Sequence, residues 1–238
     1  MASQIELGDI TVDVVLKDIK NIHLSVHPPA GRVRISAPKR MSLDTIRVFA
    51  ISKLDWIKQQ QAKLRAQERE TPRDYVDRES HYVWGKRYLL TVIESEEPPA
   101  VELKHSRMIL RVRPQTGEEK RQAIAEEWYR EQLKQAVPPL LEHWQPLLNV
   151  NVERWFVQRM KTRWGSCNHK ARTIRLNTEL SKKPPECLEY IVVHELIHLL
   201  EPTHNARFVA LMDRFMPKWQ IYRGLLNSLP LRREMWSY

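Results

Sequence analysis

The segment HELIHLLEPTHNARF, residues 194 to 208, gathers three histidines and a glutamate at the end of an apolar run. On an α-helix, residues four apart lie on one face, so His194 and His198 can present their imidazoles to a single ion with Glu195 beside them. This is the HExxH spacing of hydrolytic zinc sites, in which two imidazoles ligate the metal and the carboxylate acts as base toward an activated water. Tyr190 to Val193, Leu196 with Ile197, and Leu199 with Leu200 make the helix apolar on nearly all sides, which predicts burial. Unpartnered imidazoles and a carboxylate in such a place would cost at least about 1 to 3 kcal/mol each, whereas ligation and a bound water satisfy all three.

A catalytic zinc takes three protein ligands and keeps one position for water. Glu201 would share the face of His194 in a continued helix, but Pro202 disfavours the α conformation at Glu201. His204 follows that break, where the chain can curl back, and is the expected third ligand; Asp213 is a more remote candidate. The competing reading, ordinary hydrogen-bonded core histidines, accounts less well for the full set. His23, His27, His81, His105, His143 and His169 lack ligand spacing and read as surface or locally hydrogen-bonded residues. Cys167 and Cys187 read as buried thiols, because no CxxC pair accompanies them.

The elements that must position this helix can be read along the chain. Residues 4 to 16 and 21 to 37 alternate apolar and polar residues, with PPAG as a turn signal, and predict antiparallel strands. Ser42 caps a helix in which Ile46, Phe49 or Ala50, Leu54 and Ile57 recur at helical spacing and pack on that sheet. YVWGKRYLLTVI and VELKHSRMILRVR add strands before a break at PQTGEEK. A helix from Glu118 carries Ile124, Trp128, Tyr129, Leu133 and Val137 until Pro138 and Pro139 interrupt it. Residues 150 to 163 and 172 to 177 predict two strands joined by the loop GSCNHKA, and the HExxH helix and two short helices follow, near 205 to 215 and 218 to 228, ahead of a basic and aromatic tail. The expected class is α+β with two domains: an amino-terminal α+β domain over 1–114, in which antiparallel strands carry one packed helix, and a compact zincin-like hydrolase domain over 115–238.

Composition narrows the function classes. Two cysteines and an amino terminus without a charged-then-apolar leader point to a cytoplasmic protein without a disulfide framework. No apolar stretch approaches the roughly 20 residues of a membrane-spanning helix, so no membrane partner is expected. The net charge of +10 raises the odds of an anionic partner. Between Arg154 and Asn177 stand seven basic residues (Arg154, Arg159, Lys161, Arg163, Lys170, Arg172, Arg175) and no acidic one. The segment at 154–177 is either a solvated strand face or a surface for nucleic acid or a nucleotide, with Trp155, Phe156 and Trp164 as stacking candidates.

KTRWGSC at 161 to 167, TIRLNTEL at 173 to 180 and YIVVHELIHLLEPTHNARF at 190 to 208 together resemble the YgjP-like family of predicted metal-dependent hydrolases, related to SprT-like zinc metallopeptidases. The resemblance extends more weakly to the amino-terminal part, through ISAPKRMSLDTI, LDWI and YVWGKRYLL. It implies a zincin unit of helix, β-hairpin, HExxH helix and final helix, with His194, His198 and His204 on zinc and Glu195 as general base. Departures fall at Leu200, Glu201 and Pro202, and at Pro138-Pro139, and touch no expected ligand. The expected activity is hydrolysis of a protein or peptide substrate, aligned along a strand edge of the 155–177 hairpin. Arg163, Trp164 or the hairpin backbone are candidates to meet the substrate or its oxyanion. Hydrolysis of nucleoside triphosphates is the alternative activity, although no GxxxxGK[ST] loop is present, and noncatalytic nucleic-acid binding is a third, disfavoured by the intact Glu195.

Overall fold

The computed structural model describes residues 2–27, 31–66, 69–70, 73–160, 163–228 and 231–232, in an α+β fold that forms two compact units, residues 1–71 with 230–238 and residues 72–229. The PPAG turn signal, apart from Gly31, lies outside the described residues, as do Lys161 and the aromatic tail.

In the first unit, β1 (Ala2–Leu7), β2 (Ile10–Lys17), β3 (His23–His27) and β4 (Arg32–Pro38) form one sheet in the order β1-β2-β4-β3. Two of its pairings are antiparallel, as the alternation predicts, but β2 and β4 run parallel, because β4 turns back from β3 and slots between β3 and β2. The period-two pattern buries Ile10, Val12 and Val14 of β2 and Val33, Ile35 and Ala37 of β4. Ser42 caps α1 (Leu43–Ser52) by accepting from the Thr45 amide at 3.2 Å. The single expected helix is two, since the chain leaves helical geometry at Lys53 before α2 (Leu54–Ala66). Ile46, Ala50 and Ile57 close the core over the sheet. A two-residue strand, β5 (Arg69–Glu70), completes the segment.

In the second unit, β6 (Ser80–Val83), β7 (Lys86–Glu94), β8 (Ala100–Lys104) and β9 (Arg107–Val112) form a sheet in the order β6-β7-β9-β8. The long helix α3 (Glu118–Leu148) then runs straight through Pro138, Pro139 and Pro146. An interior proline costs about 3 kcal/mol. Leu133, Val137, Leu141, Trp144 and Leu148 are buried on both sides of the prolines, each worth about 1.5–3 kcal/mol, so the stripe outweighs the breaks. The carbonyls the prolines leave free belong to Lys134, Gln135 and Glu142, on exposed positions where water can serve them.

Helix α3 also explains why the domain boundary expected near 114 falls inside this unit. Its first half places Ala125 and Tyr129 in one cluster with Leu90, Met108, Leu110 and Val112 of the sheet. Its second half, from Leu133 onward, belongs to the cluster of the HExxH helix. One continuous stripe thereby joins what the break at PQTGEEK suggested were separate domains.

Three strands follow where two were expected: β10 (Arg154–Gln158), β11 (Gly165–Asn168) and β12 (Thr173–Asn177), in the order β10-β12-β11. GSCN is therefore a strand, paired antiparallel with β12 from Gly165↔Leu176 to Asn168↔Thr173, while β10 runs parallel to β12. A 3-10 turn (Thr178–Lys182), α4 (Pro185–Ile197), α5 (Ala206–Phe215) and α6 (Trp219–Ser228) complete the unit. The last strand, β13 (Leu231–Arg232), returns to the first unit to pair with β5. Among the described residues no helix is long and apolar enough to cross a membrane.

Candidate metal centre

Helix α4 begins at Pro185, a residue preorganised for a first helical position, and is buried through Leu188, Ile191, Val192, Val193, Leu196 and Ile197. It ends earlier than Pro202 requires. His198 is already its cap, and the amides of Leu200 and Glu201 both turn back to the Ile197 carbonyl at 2.9 Å. The chain then reverses through Pro202 and restarts at Asn205, whose side chain caps α5 by accepting from the Phe208 amide at 3.0 Å. His204 immediately precedes that cap, and the reversal returns it to α4.

The result is a cluster of three imidazoles. His194 Nε2 lies 3.2 Å from His198 Nε2 and 3.0 Å from His204 Nε2, and the ligand atoms of all three fall within 4.8 Å of one another. Phe208 stands among the rings, with centroids 4.9, 4.8 and 4.7 Å from His194, His198 and His204. His198 Nδ1 donates to the Glu201 carbonyl at 3.0 Å, which leaves its Nε2 lone pair facing the cluster. Burial, reinforced by His198, His204 and Arg223, brings His194 down to about 3, and burial also lowers His198. With Nδ1 of His198 donating, its Nε2 can only accept, and a single N–H on His194 Nε2 cannot serve both short contacts at once, whereas a cation between the rings satisfies all three nitrogens. Tetrahedral zinc at about 2.0–2.1 Å from each nitrogen sets its ligand atoms roughly 3.3 Å apart, so this donor set fits zinc.

The other acidic candidates are occupied elsewhere. Asp213 Oδ1 accepts from Trp219 Nε1 at 2.7 Å, and the exposed Glu201 carboxylate accepts from the Thr203 hydroxyl at 3.0 Å. Glu201 acts on the cluster through its backbone oxygen.

Glu195 is 4% exposed and packs against β11. A Cβ at Gly165 would stand 2.5 Å from Glu195 Oε1 and 2.9 Å from both Glu195 Cγ and Ile191 Cγ2, so only glycine leaves the carboxylate its place. Burial pushes Glu195 up to about 8, against the pull of Arg163. A cleft of about 540 Å³ opens over Glu195 and the three histidines. Arg163 and Trp164 border it as expected, and Arg223, Tyr190 and His169 do so without having been singled out for it. Cys167 also lines it, but burial and then Glu195 push its thiol up to about 12, which keeps it protonated.

Several positioning residues escaped the sequence reading. Asn177 donates to the carbonyls of Met160 at 2.9 Å and Arg163 at 2.8 Å, while its amide donates to Trp164 O at 2.9 Å, pinning the segment that carries Arg163 and Trp164. Tyr190 stacks on Trp219 at 6.5 Å and meets the His194 ring edge-on at 5.8 Å. Of the basic side chains between 154 and 177, Arg172 donates to the Asn151 carbonyl, Arg159 lies 3.9 Å from Glu126, and Arg175 lies over Phe156. These three serve the fold.

The family model of the YgjP-like metallopeptidase domain matches residues 20–229. No curated protein matches the chain. Among solved structures, the metallopeptidase zymogen abylysin of Pyrococcus abyssi is 23% identical, over 41% of this chain and 99% of its own, with a TM-score of 0.36. The zymogen jannalysin of Methanocaldococcus jannaschii is 25% identical, over 39% of this chain and 91% of its own, with a TM-score of 0.32. The family match spans most of the sequence and contains the whole histidine cluster: the chain belongs to the YgjP-like family and is a hydrolase of the metallopeptidase type.

Proposed function

We propose that this protein is a zinc peptidase in which His194, His198 and His204 hold the ion and Glu195 is the general base. The observation that carries the reading is the convergence of three imidazole nitrogens within 4.8 Å beside a buried glutamate. When bound, zinc polarises a carbonyl oxygen and lowers the pKa of water toward about 7. Glu195 accepts the proton of the attacking water and returns it to the leaving amine. The carboxylate of Glu195 packs against the backbone of Gly165, which supports an orientation of the base set before substrate arrives. Among the described residues strand β11 has a single sheet neighbour, β12, which leaves its other edge to pair with an extended peptide. That Arg163 and Trp164 line the cleft and directly precede β11 supports a role for them in meeting the substrate. The thiols of Cys167 and Cys187 are both free, in keeping with a reducing cytoplasm.

The test compares wild type and Glu195→Gln, both zinc-loaded, on casein and on a nucleoside triphosphate. Casein cleavage that disappears in the variant, with zinc retained, supports the reading. Triphosphate hydrolysis without casein cleavage replaces the peptidase by the phosphohydrolase, and activity surviving in Glu195→Gln removes Glu195 as the base.

A further inference from the structure

Two guanidinium groups border the cleft, and among the described residues neither is held in an ion pair by an acid. Arg163 comes from the segment leading into β11, and its charge is felt by Glu195. Arg223 comes from α6, lies over the Trp219 ring at 5.8 Å, and acts on His194 and Tyr190. Both are exposed, and among the described residues neither forms an ion pair. Glu195 is the one carboxylate among the residues lining the cleft, and it is buried at the floor. The rim is therefore cationic, in a molecule whose net charge is already +10. Cationic clefts with low-dielectric walls concentrate anions, and a guanidinium matches the two oxygens of a carboxylate in a fork.

We propose that Arg163 and Arg223 are specificity-determining residues that select peptides carrying a carboxylate next to the scissile bond. The proposal rests on the histidine cluster being the hydrolytic centre, and it names the substrate class of that centre. An acidic side chain and a free carboxy terminus offer the same chemistry, and the two are separable by peptide design. The other polar side chains of the lining outside the histidine cluster, among them Ser166, His169 and Asn227, can add hydrogen bonds, but the two guanidinium groups supply the fixed positive charge.

The test is a binding titration of zinc-loaded Glu195→Gln protein with three short peptides of one sequence. The first carries Glu and is blocked at both ends, the second carries Gln and is blocked at both ends, and the third carries Gln with a free carboxy terminus. A carboxylate-bearing peptide is expected to bind about tenfold tighter than the doubly blocked Gln peptide, the combined effect of two exposed ion pairs. Preference for the first assigns the side chain, preference for the third assigns the terminus, and either supports the proposal. Arg163→Met and Arg223→Met are each expected to reduce the preference about threefold, with zinc content and thermal midpoint unchanged as for other surface substitutions. Equal affinities for the three peptides, no measurable binding, or a preference that survives both arginine substitutions overturns it. Casein cleavage without the preference rejects this inference and spares the peptidase reading; the preference in a protein that cleaves nothing does the reverse.

Discussion

Two histidines of the second unit, one buried and one half-buried, have similarly lowered pKa values and differ in everything else. His81 on β6 is 1% exposed, and burial, with Arg73 and Lys182 nearby, brings it down to about 3. His194 on α4 is brought to about the same value, again chiefly by burial. Yet His81 lies against the Tyr75 ring at 5.3 Å and has its Nε2 3.3 Å from Glu79, whereas His194 faces two further imidazoles at hydrogen-bonding distance. A depressed pKa therefore reports desolvation in both places and distinguishes neither. Convergence of several nitrogens on one point is what marks a metal centre.

Substitutions that separate the two histidines test this contrast. His198→Ala removes one of three ligands, and zinc content measured after gel filtration is expected to fall from one per chain to below about a tenth, with activity lost. In Glu195→Gln the zinc remains and kcat drops by about 10² to 10⁴, the range of a lost general base. Gly165→Ala leaves the ligands intact but forces Glu195 aside, so kcat is expected to fall about tenfold or more while KM and zinc content hold. His81→Ala leaves zinc affinity unchanged and instead lowers stability in urea by about 2 kcal/mol, through a cavity beside Tyr75 and the lost contact with Glu79. The last contrast is with pH. His81 stays neutral in the fold down to about 3, while in the unfolded chain it titrates near its ordinary 6.5. Only the unfolded state gains a proton between those values, so His81 contributes stability in full above 6.5 and loses it as pH falls toward 3. The slope, up to about 1.4 kcal/mol per pH unit, is expected to flatten in His81→Gln.

What could be read from the sequence divides by range. The proposed ligand set is read from i,i+4 spacing and a proline seven residues after Glu195, both local rules, and the three histidines so named lie together in the structure. Gly165, Asn177, Phe208 and Arg223 were not legible, because each matters through a contact with a distant element. Local rules also misread GSCN, whose small polar residues suit a loop until β12 supplies a partner. The same holds for α3, where proline chemistry predicts an interruption and tertiary burial overrides it. The unit boundary moved from 114 to 71 for that reason: composition marked a turn at PQTGEEK, while the buried stripe of α3 ties both sides of it together.

Phe208 has a thermodynamic consequence. It is nearly fully buried at the start of α5 and touches all three imidazoles, so His204, the proposed third ligand, is in reach only while α5 is docked. Ion affinity and the docking of one short helix are then a single linked equilibrium: whatever loosens α5 weakens the site, and the ion in turn holds α5 in place by mass action. A chain carrying its ion would resist proteolysis between Pro202 and Asn205 more than one without it, and the difference would measure the coupling.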